Sequence, residues 1–179
     1  MRQLLLLRHA KSAWDDAAVP DRDRALNARG RRAASLMREA MRDLGLAPDV
    51  VLVSPARRTL ETLEALEPWD DTPLVEPLDA LYLANKATLL DALRAIPETV
   101  RSVLLIGHNP GMHDLALTLA NGRPVGDAGR ALAKGYPTGT LAEFTLAGPW
   151  HTIGAGSGRL VRFVTPRSLE EAAGQTDGA

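Results

Sequence analysis

The sequence predicts an α/β fold, a three-layer α/β/α sandwich built on a mostly parallel mixed sheet of about five or six strands. Short apolar runs alternate along the chain with amphipathic segments of helical periodicity, which is the pattern of strands joined by crossover helices. No internal repeat or long linker interrupts this alternation. The last two predicted strands have no helix between them, so at least one of them should run antiparallel to its neighbours.

The predicted strands are apolar or alternating runs of four to six residues, separated by turn-forming residues. They cover residues 3–7, 50–53, 103–106, 141–146 and 160–164. Residues 72–75 are expected to form a short edge strand, because the prolines in and just after this segment exclude it from the middle of a sheet. Residues 148–158, between the last two strands, are a predicted turn or short hairpin loop.

Capping residues and prolines predict where the helices begin and end. Asn27 is expected to cap a helix that runs to about Leu44 and stops before Gly45. Ser54 and Pro55 predict the start of a second helix, since serine caps helices and proline fits the first helical position. Two more helices are predicted over residues 88–95 and 110–119. Irregular structure is predicted for a polar segment, a glycine-rich segment and a fraying polar tail: residues 15–23, residues 122–139 and residues from about 170.

Composition excludes several classes of function. The 179 residues fit one domain, residues 1–179, and the net charge of -1 gives no general attraction to nucleic acid or membranes. The absence of cysteine removes disulfides, thiolate catalysis and cysteine-type zinc sites. His113 and His151 lack acidic or histidine neighbours at metal-ligand spacing, so we expect no bound metal. The sequence shows neither a signal-peptide pattern nor an apolar run of about 20 residues, so we expect a cytoplasmic location. It leaves the oligomeric state open.

Three of the predicted buried strands end in residues that bind anions or perform chemistry. The first ends at Arg8 and His9. The second ends at Ser54, with Arg58 in the next helical turn, and the third ends at His108. Ligands of open α/β sheets bind beyond the carboxyl ends of the strands. If the three strands are neighbours, two imidazoles and at least two guanidinium groups meet at one site.

The ligand that suits this set of groups is a phosphate-like anion. Guanidinium groups match phosphate oxygens, and helix N-termini add free N–H donors. Two arginines beside an imidazole also lower its pKa, because they oppose a further positive charge. Only a neutral imidazole is a nucleophile, so the arginines would keep His9 reactive. Competing motifs are missing: there is no phosphate-loop sequence, and Ala155 replaces the first glycine of a G-x-S-x-G motif.

Four segments, in the expected order, resemble the motifs of the histidine phosphatase superfamily, which has the phosphoglycerate-mutase-like fold. Residues 6–12 resemble its R-H-G/A signature, and residues 26–31 resemble its L-[TN]-x-x-G segment. Residues 54–62 resemble S-P-x-x-R-x-x-[QE]-T, and residues 107–110 resemble its second-histidine motif. The short chain and its R-H-A-K-S-x-W opening are similar to the compact SixA-type phosphohistidine phosphatases.

The resemblance implies roles for the residues that match these motifs. It implies four catalytic residues, namely a covalent nucleophile, two phosphoryl-binding arginines and a histidine that donates to the phosphoryl group: His9, Arg8, Arg58 and His108. It also implies two substrate-binding residues near the phosphate, Ser12 and Asn109. Arg57 lies one position away from the family arginine and is not assigned. The resemblance implies neither a metal nor a cofactor.

One departure from the superfamily concerns the general acid. Larger members place a glutamate before the middle of the chain, where the closest register here has Ala80. Asp79 is adjacent and Glu76 lies further off, and the sequence does not decide whether either acts as the acid. An alkoxide leaving group needs a proton, whereas phosphoimidazole is already a labile phosphoramidate. The gap therefore favours a phosphohistidine-like substrate.

The leading hypothesis is a metal-independent phosphatase that hydrolyses protein phosphohistidine through a covalent phospho-His9 intermediate. Its partner would be a phosphorylated protein. One alternative is a phosphomonoesterase for a small phosphorylated metabolite. Another is a phosphate-binding protein without catalysis. A mutase is disfavoured because the chain has little room for the insertions that enclose a mutase site.

Overall fold

The computed structural model describes residues 1–121 and 126–176. The strands are β1 (Arg2–Arg8), β2 (Val50–Val53), β3 (Leu74–Pro77), β4 (Ser102–Gly107), β5 (Leu141–Leu146) and β6 (Gly158–Val164). The helices are α1 (Ala28–Asp43), α2 (Arg57–Leu66), α3 (Lys86–Arg94), α4 (Gly111–Leu119), α5 (Gly126–Lys134) and α6 (Pro166–Thr176). No helix in the described residues is both long enough and apolar enough to cross a membrane.

The six strands form one mixed sheet in the order β3-β2-β4-β1-β5-β6. The four strands β3, β2, β4 and β1 pair in parallel, whereas β5 runs antiparallel to both β1 and β6. The predicted sheet is confirmed, including the antiparallel strand near the end of the chain. β3 is the predicted edge strand. The parallel register pairs Arg8 of β1 with Gly107 of β4, so the residues that follow these strands are neighbours.

Helices cover both faces of the sheet, as the three-layer prediction requires. Successive residues of β1 point to opposite faces. Leu5 and Leu7 pack with α1 and α2, whereas Leu4 and Leu6 pack with α3 and α4. All four leucines are fully buried. Because both faces of the central strands are buried, their sequences are continuous apolar runs rather than alternating apolar and polar residues.

The predicted helix starts are partly right. The Asn27 cap is confirmed, since its side-chain oxygen accepts a hydrogen bond from the Gly30 amide at 2.8 Å. The Ser54 cap is wrong. Helix α2 begins at Arg57, and its cap residue Ala56 has no side-chain hydrogen bond. The buried Ser54 hydroxyl has a different partner, described below.

Two segments predicted to be irregular are helical. Residues 126–134 within the glycine-rich segment form α5, which buries Gly129 and Leu132 against the core. The glycines of this segment favour turns, so the sequence does not show a clear helical period there. Residues 122–125 of that segment lie outside the described residues. The predicted fraying tail forms most of α6, whose first turn is capped by Thr165 and whose Leu169 packs against the core.

Candidate active site

Two histidines from separate strands face each other at the carboxyl edge of the sheet. His9 follows β1 and His108 follows β4, and their ring centroids lie 5.3 Å apart. The His9 amide donates to the Gly107 carbonyl at 3.1 Å, which extends the β1–β4 pairing to the site itself. Both histidines are buried, with 7% and 3% exposure. The sheet order therefore brings together two residues that are about a hundred positions apart.

The orientation of the His9 ring leaves one nitrogen free for chemistry. Its Nδ1 lies 2.7 Å from the backbone carbonyl oxygen of Ala10. A carbonyl only accepts hydrogen bonds, so Nδ1 must carry the proton and donate it. In a neutral ring, Nε2 then holds an unshared electron pair. The Ala10 backbone is itself positioned, because its amide donates to the buried Thr62 hydroxyl at 3.0 Å.

The surroundings keep His9 neutral. The pKa of His9 is lowered from 6.5 to about 4, chiefly by burial, because a charged ring would lose its hydration. The charges of Arg58, Arg8 and Arg24 contribute to this lowering, and the hydrogen bond to Ala10 acts in the opposite direction. The direction agrees with the sequence-based expectation. Burial, rather than the arginines, is the largest cause.

Arg8 and Arg58 lie at the site, as predicted. The Arg8 guanidinium donates to the Tyr136 carbonyl at 2.8 Å. Arg58 projects from the first turn of α2 and is only 2% exposed. One of its nitrogens, Nη2, lies 3.3 Å from Nδ1 of His108. Arg57 instead points to the surface, where it pairs with Glu61 one helical turn away.

Asp21 is a member of the site that sequence reasoning missed. It lies in a short 3-10 turn within the segment predicted as a polar loop. Its carboxylate pairs with Arg58 at 3.0 Å and accepts a hydrogen bond from the Tyr82 hydroxyl at 2.6 Å. The Tyr82 hydrogen bond is the largest cause that lowers the Asp21 pKa to about 2, and Arg58 adds to it. Asp21 is thus an ionised partner of Arg58 at neutral pH.

Ser54 orients the second histidine. Nε2 of His108 lies 2.7 Å from the Ser54 hydroxyl oxygen, and Ser54 is fully buried. This contact fixes the ring with Nδ1 on the side of Arg58 and the pocket. Burial is the largest cause that lowers the His108 pKa to about 3, followed by the charges of His9 and Arg58. His108 is therefore neutral while the site is unliganded.

The two predicted substrate-binding residues also line the pocket. Ser12 accepts a hydrogen bond from Arg24 at 2.9 Å, and the Asn109 amide donates to the Tyr136 carbonyl at 2.9 Å. Arg24 is a second missed residue. Its guanidinium lies 3.4 Å from the centre of the exposed Trp14 ring, so it connects the pocket floor to the rim.

The pocket has a volume of about 240 Å³. Cationic, hydrogen-bonding and rim residues surround it: Arg8, His9, Lys11, Ser12, Trp14, Asp21, Arg24, Arg58, Leu83, His108, Asn109 and Thr138. Four arginine or lysine side chains thus face one carboxylate. Such a cavity suits a tetrahedral oxyanion.

Comparison with known proteins agrees with this geometry. Residues 4–79 match the family model for branch 1 of the histidine phosphatase superfamily. An uncharacterized protein of Mycobacterium leprae is 33% identical over 164 residues, spanning 90% of this chain and all of that protein. A structure from Nakamurella multipartitia, provisionally assigned as a phosphohistidine phosphatase SixA, superposes with a TM-score of 0.81 and 30% identity, over 92% of this chain and 96% of that one. The chain belongs to the histidine phosphatase superfamily.

Within the superfamily this protein is of the SixA type. A second solved structure, the protein histidine phosphatase SixA complexed with tungstate, has a TM-score of 0.75 and 27% identity, over 93% of this chain and 99% of that one. Tungstate is a tetrahedral oxyanion, the shape that the pocket described above suits. Membership of this family supports phosphatase activity.

The two candidate general acids, Asp79 and Glu76, do not line the pocket of this histidine phosphatase. Asp79 pairs with Arg22, and its side chain is 85% exposed. Glu76 lies on the exposed edge strand β3. Among the described residues, Asp21 is the single carboxylate in the pocket lining, and its lowered pKa leaves it without a proton to donate near neutral pH.

Proposed function

We propose that this histidine phosphatase removes the phosphoryl group from phosphohistidine in a protein, with His9 as covalent nucleophile. The observation that carries the proposal is the orientation of His9. The Ala10 carbonyl holds the proton on Nδ1, so Nε2 presents its electron pair to a pocket that also contains Arg8 and Arg58. A neutral, oriented imidazole beside phosphate-binding cations is the requirement for in-line attack at phosphorus.

In the first step, Nε2 of His9 attacks phosphorus while the bond from phosphorus to the leaving nitrogen breaks on the opposite side. The electron pair of the broken bond leaves with the imidazole of the substrate. Arg8 and Arg58 offset the charge on the phosphoryl oxygens. In the second step, water attacks the phosphorus of phospho-His9, which releases inorganic phosphate and regenerates the neutral ring.

His108 donates to the phosphoryl group during transfer. Its Nε2 is held by Ser54, and its Nδ1 faces the pocket 3.3 Å from Nη2 of Arg58. Because a guanidinium only donates, Nδ1 of the neutral ring accepts from Arg58, and this Arg58 N–H must turn to the phosphoryl group before Nδ1 takes a proton. An arriving phosphoryl dianion favours protonation of the ring, because opposite charges a few ångströms apart stabilise each other. The protonated Nδ1 then donates to a phosphoryl oxygen and stabilises charge as the bond breaks.

The pocket lining also favours phosphohistidine over an alkyl phosphate. Release of an alkoxide requires a general acid, and the carboxylate that lines the pocket, Asp21, has a pKa of about 2. Imidazole leaves as a neutral molecule when its second nitrogen carries a proton, so the enzyme need not supply one. The names of the SixA-type neighbours support the same substrate class.

The test is a rapid-quench experiment with a ³²P-labelled phosphohistidine peptide. We expect an acid-labile, alkali-stable phosphoryl group on the wild-type protein within one turnover, and neither label nor turnover in His9→Ala. His151→Ala, which removes an exposed histidine outside the pocket, is the matched control and should retain activity. Labelling of His9→Ala at the wild-type rate would contradict the mechanism. Inhibition by EDTA that magnesium reverses would also count against it.

The substrate class is tested on the same preparation. A panel of sugar phosphates and alkyl phosphomonoesters should be hydrolysed far more slowly than the phosphohistidine peptide. Equal or faster hydrolysis of a small phosphomonoester would assign the activity to a metabolite instead.

A further inference from the structure

A second depression, the basic groove, opens directly beside the active-site pocket. It lies between the first turns of α1 and α6 and has a volume of about 430 Å³, larger than the pocket itself. Lys11 and Thr138 line both cavities, so the groove continues from the pocket mouth. Arg29 and Arg167 line its far part, on α1 and α6.

The backbone contact between Lys11 and α1 fixes the position of the groove's cations. The Asn27 amide donates to the Lys11 carbonyl at 3.0 Å. Gly30 lies so close to that carbonyl that a Cβ atom on it would be 2.0 Å from the oxygen. The start of α1, which carries Arg29, is thus packed against the segment that follows His9. The same backbone segment therefore positions both the groove and His9.

The groove carries more positive than negative charge. Among the described residues, neither Lys11 nor Arg29 forms an ion pair with a carboxylate, whereas Arg167 pairs with Glu171 at 2.8 Å. Glu170 is the acidic residue in the lining. Two unpaired cations therefore remain to face a ligand. The chemistry that fits them is an anion attached to whatever occupies the pocket.

The pocket mouth also has an apolar rim. Trp14 is 73% exposed and Leu83 is 53% exposed, and both line the pocket. Arg24 stacks on the Trp14 ring and holds it in place. A small phosphorylated metabolite would reach neither this rim nor the groove fully. A polypeptide lying across the mouth would contact both.

We propose that the basic groove binds acidic side chains that flank the phosphorylated residue of a protein substrate. This inference rests on the proposed function, since the phosphoryl group must first lie in the pocket. Carboxylates of the substrate would pair with Arg29 and Lys11, while an apolar residue of the same substrate would pack on Trp14. The groove would thereby select among phosphorylated proteins by the charge next to the reacting residue.

Two phosphohistidine peptides test the proposal. They share one sequence, except that one carries glutamates and the other glutamines on both sides of the phosphohistidine. We expect the wild-type kcat/KM to be roughly threefold to tenfold higher for the glutamate peptide, the range that a few exposed charge pairs give. The preference should shrink as salt is added. Arg29→Glu should abolish or reverse it, and Arg42→Glu, at the opposite end of the same helix, should retain it.

The outcomes separate this inference from the proposed function. Hydrolysis of both peptides at equal rates, unaffected by Arg29→Glu, would overturn the groove and leave the phosphatase proposal intact. If neither peptide is hydrolysed, the affinities of His9→Ala for the two peptides are compared instead. Tighter binding of the glutamate peptide that is lost in His9→Ala/Arg29→Glu supports the groove. Equal affinities for the two peptides overturn it. A small bisphosphorylated sugar that is hydrolysed faster than either peptide, with the advantage lost in Arg29→Glu, would assign the groove to a metabolite.

Discussion

Arg58 is held by Asp21 through both a backbone and a side-chain contact. Nη1 of Arg58 donates to the Asp21 carbonyl at 2.6 Å, and Nη2 lies 3.0 Å from its carboxylate. A buried guanidinium left without an anionic partner is costly, and it can adopt several orientations. Asp21 therefore sets the direction in which Arg58 presents its remaining hydrogen-bonding capacity. We regard Asp21 as a positioning residue that acts through Arg58.

Asp21→Asn should lower kcat for phosphohistidine hydrolysis by about tenfold, equivalent to about 1.4 kcal/mol of transition-state stabilisation. The backbone contact to Arg58 survives this change, so the fold should be retained. The affinity for phosphate should change little, because removal of a negative charge near the anion offsets the looser Arg58. Steady-state kinetics and phosphate titration of Asp21→Asn and of the loop control Asp15→Asn measure both quantities. An unchanged kcat would show that Asp21 does not position Arg58.

The two site histidines should make the protein less stable in mild acid. Their pKa values, about 4 for His9 and about 3 for His108, lie below the ordinary 6.5, so between these limits the unfolded chain binds protons that the folded protein excludes. The free energy of unfolding should therefore be at its full value above pH 6.5. It should fall by roughly 4–5 kcal/mol as the pH decreases to 4.5, because each of the two histidines contributes about 1.4 kcal/mol per pH unit over this range.

Urea denaturation at a series of pH values measures this dependence. The double variant His9→Asn/His108→Asn should show a flatter profile between pH 6.5 and 4.5, whereas His151→Ala should keep the wild-type slope. A wild-type slope in the double variant would mean that other groups cause the loss of stability.

Gly30→Ala tests the frame that positions the nucleophile and the basic groove. The added Cβ would lie 2.0 Å from the Lys11 carbonyl oxygen, which backbone cannot accommodate without moving. We expect a loss of about 1–3 kcal/mol in stability, typical of overpacking, together with weaker phosphate binding. Gly174→Ala is the matched control, because a Cβ there meets nothing within 4 Å. Equal melting temperatures for the two variants in thermal denaturation would contradict the predicted steric clash at Gly30.

The pocket residues that follow strands could be predicted from the sequence, for a physical reason. Arg8, His9 and His108 come directly after short apolar runs, and the edge at which parallel strands end is a general property of α/β sheets. The sequence also predicts Ser54 as a helix cap, because a serine followed by a proline is a common local pattern at a helix start. The Ser54 hydroxyl instead contacts a ring more than fifty positions away, and no local pattern signals such a contact.

Asp21 and Arg24 illustrate the same limit within a loop. Residues 15–23 have no periodicity, so nothing in the sequence marks Asp21 as different from its acidic neighbours. Its role depends on the approach of the loop to α2 and on the Tyr82 hydroxyl. Asp23, two positions away, has the same side chain and does not line the pocket.

The α/β architecture, the strand ends that border the pocket and the cap at Asn27 could be predicted from local sequence, because each depends on residues close together in the chain. The ring orientation of His108, the partner of Arg58 and the groove beside the pocket became visible only in the folded protein. These depend on distances between segments far apart in sequence, and such distances are set by how the sheet orders its strands and how the helices pack on it.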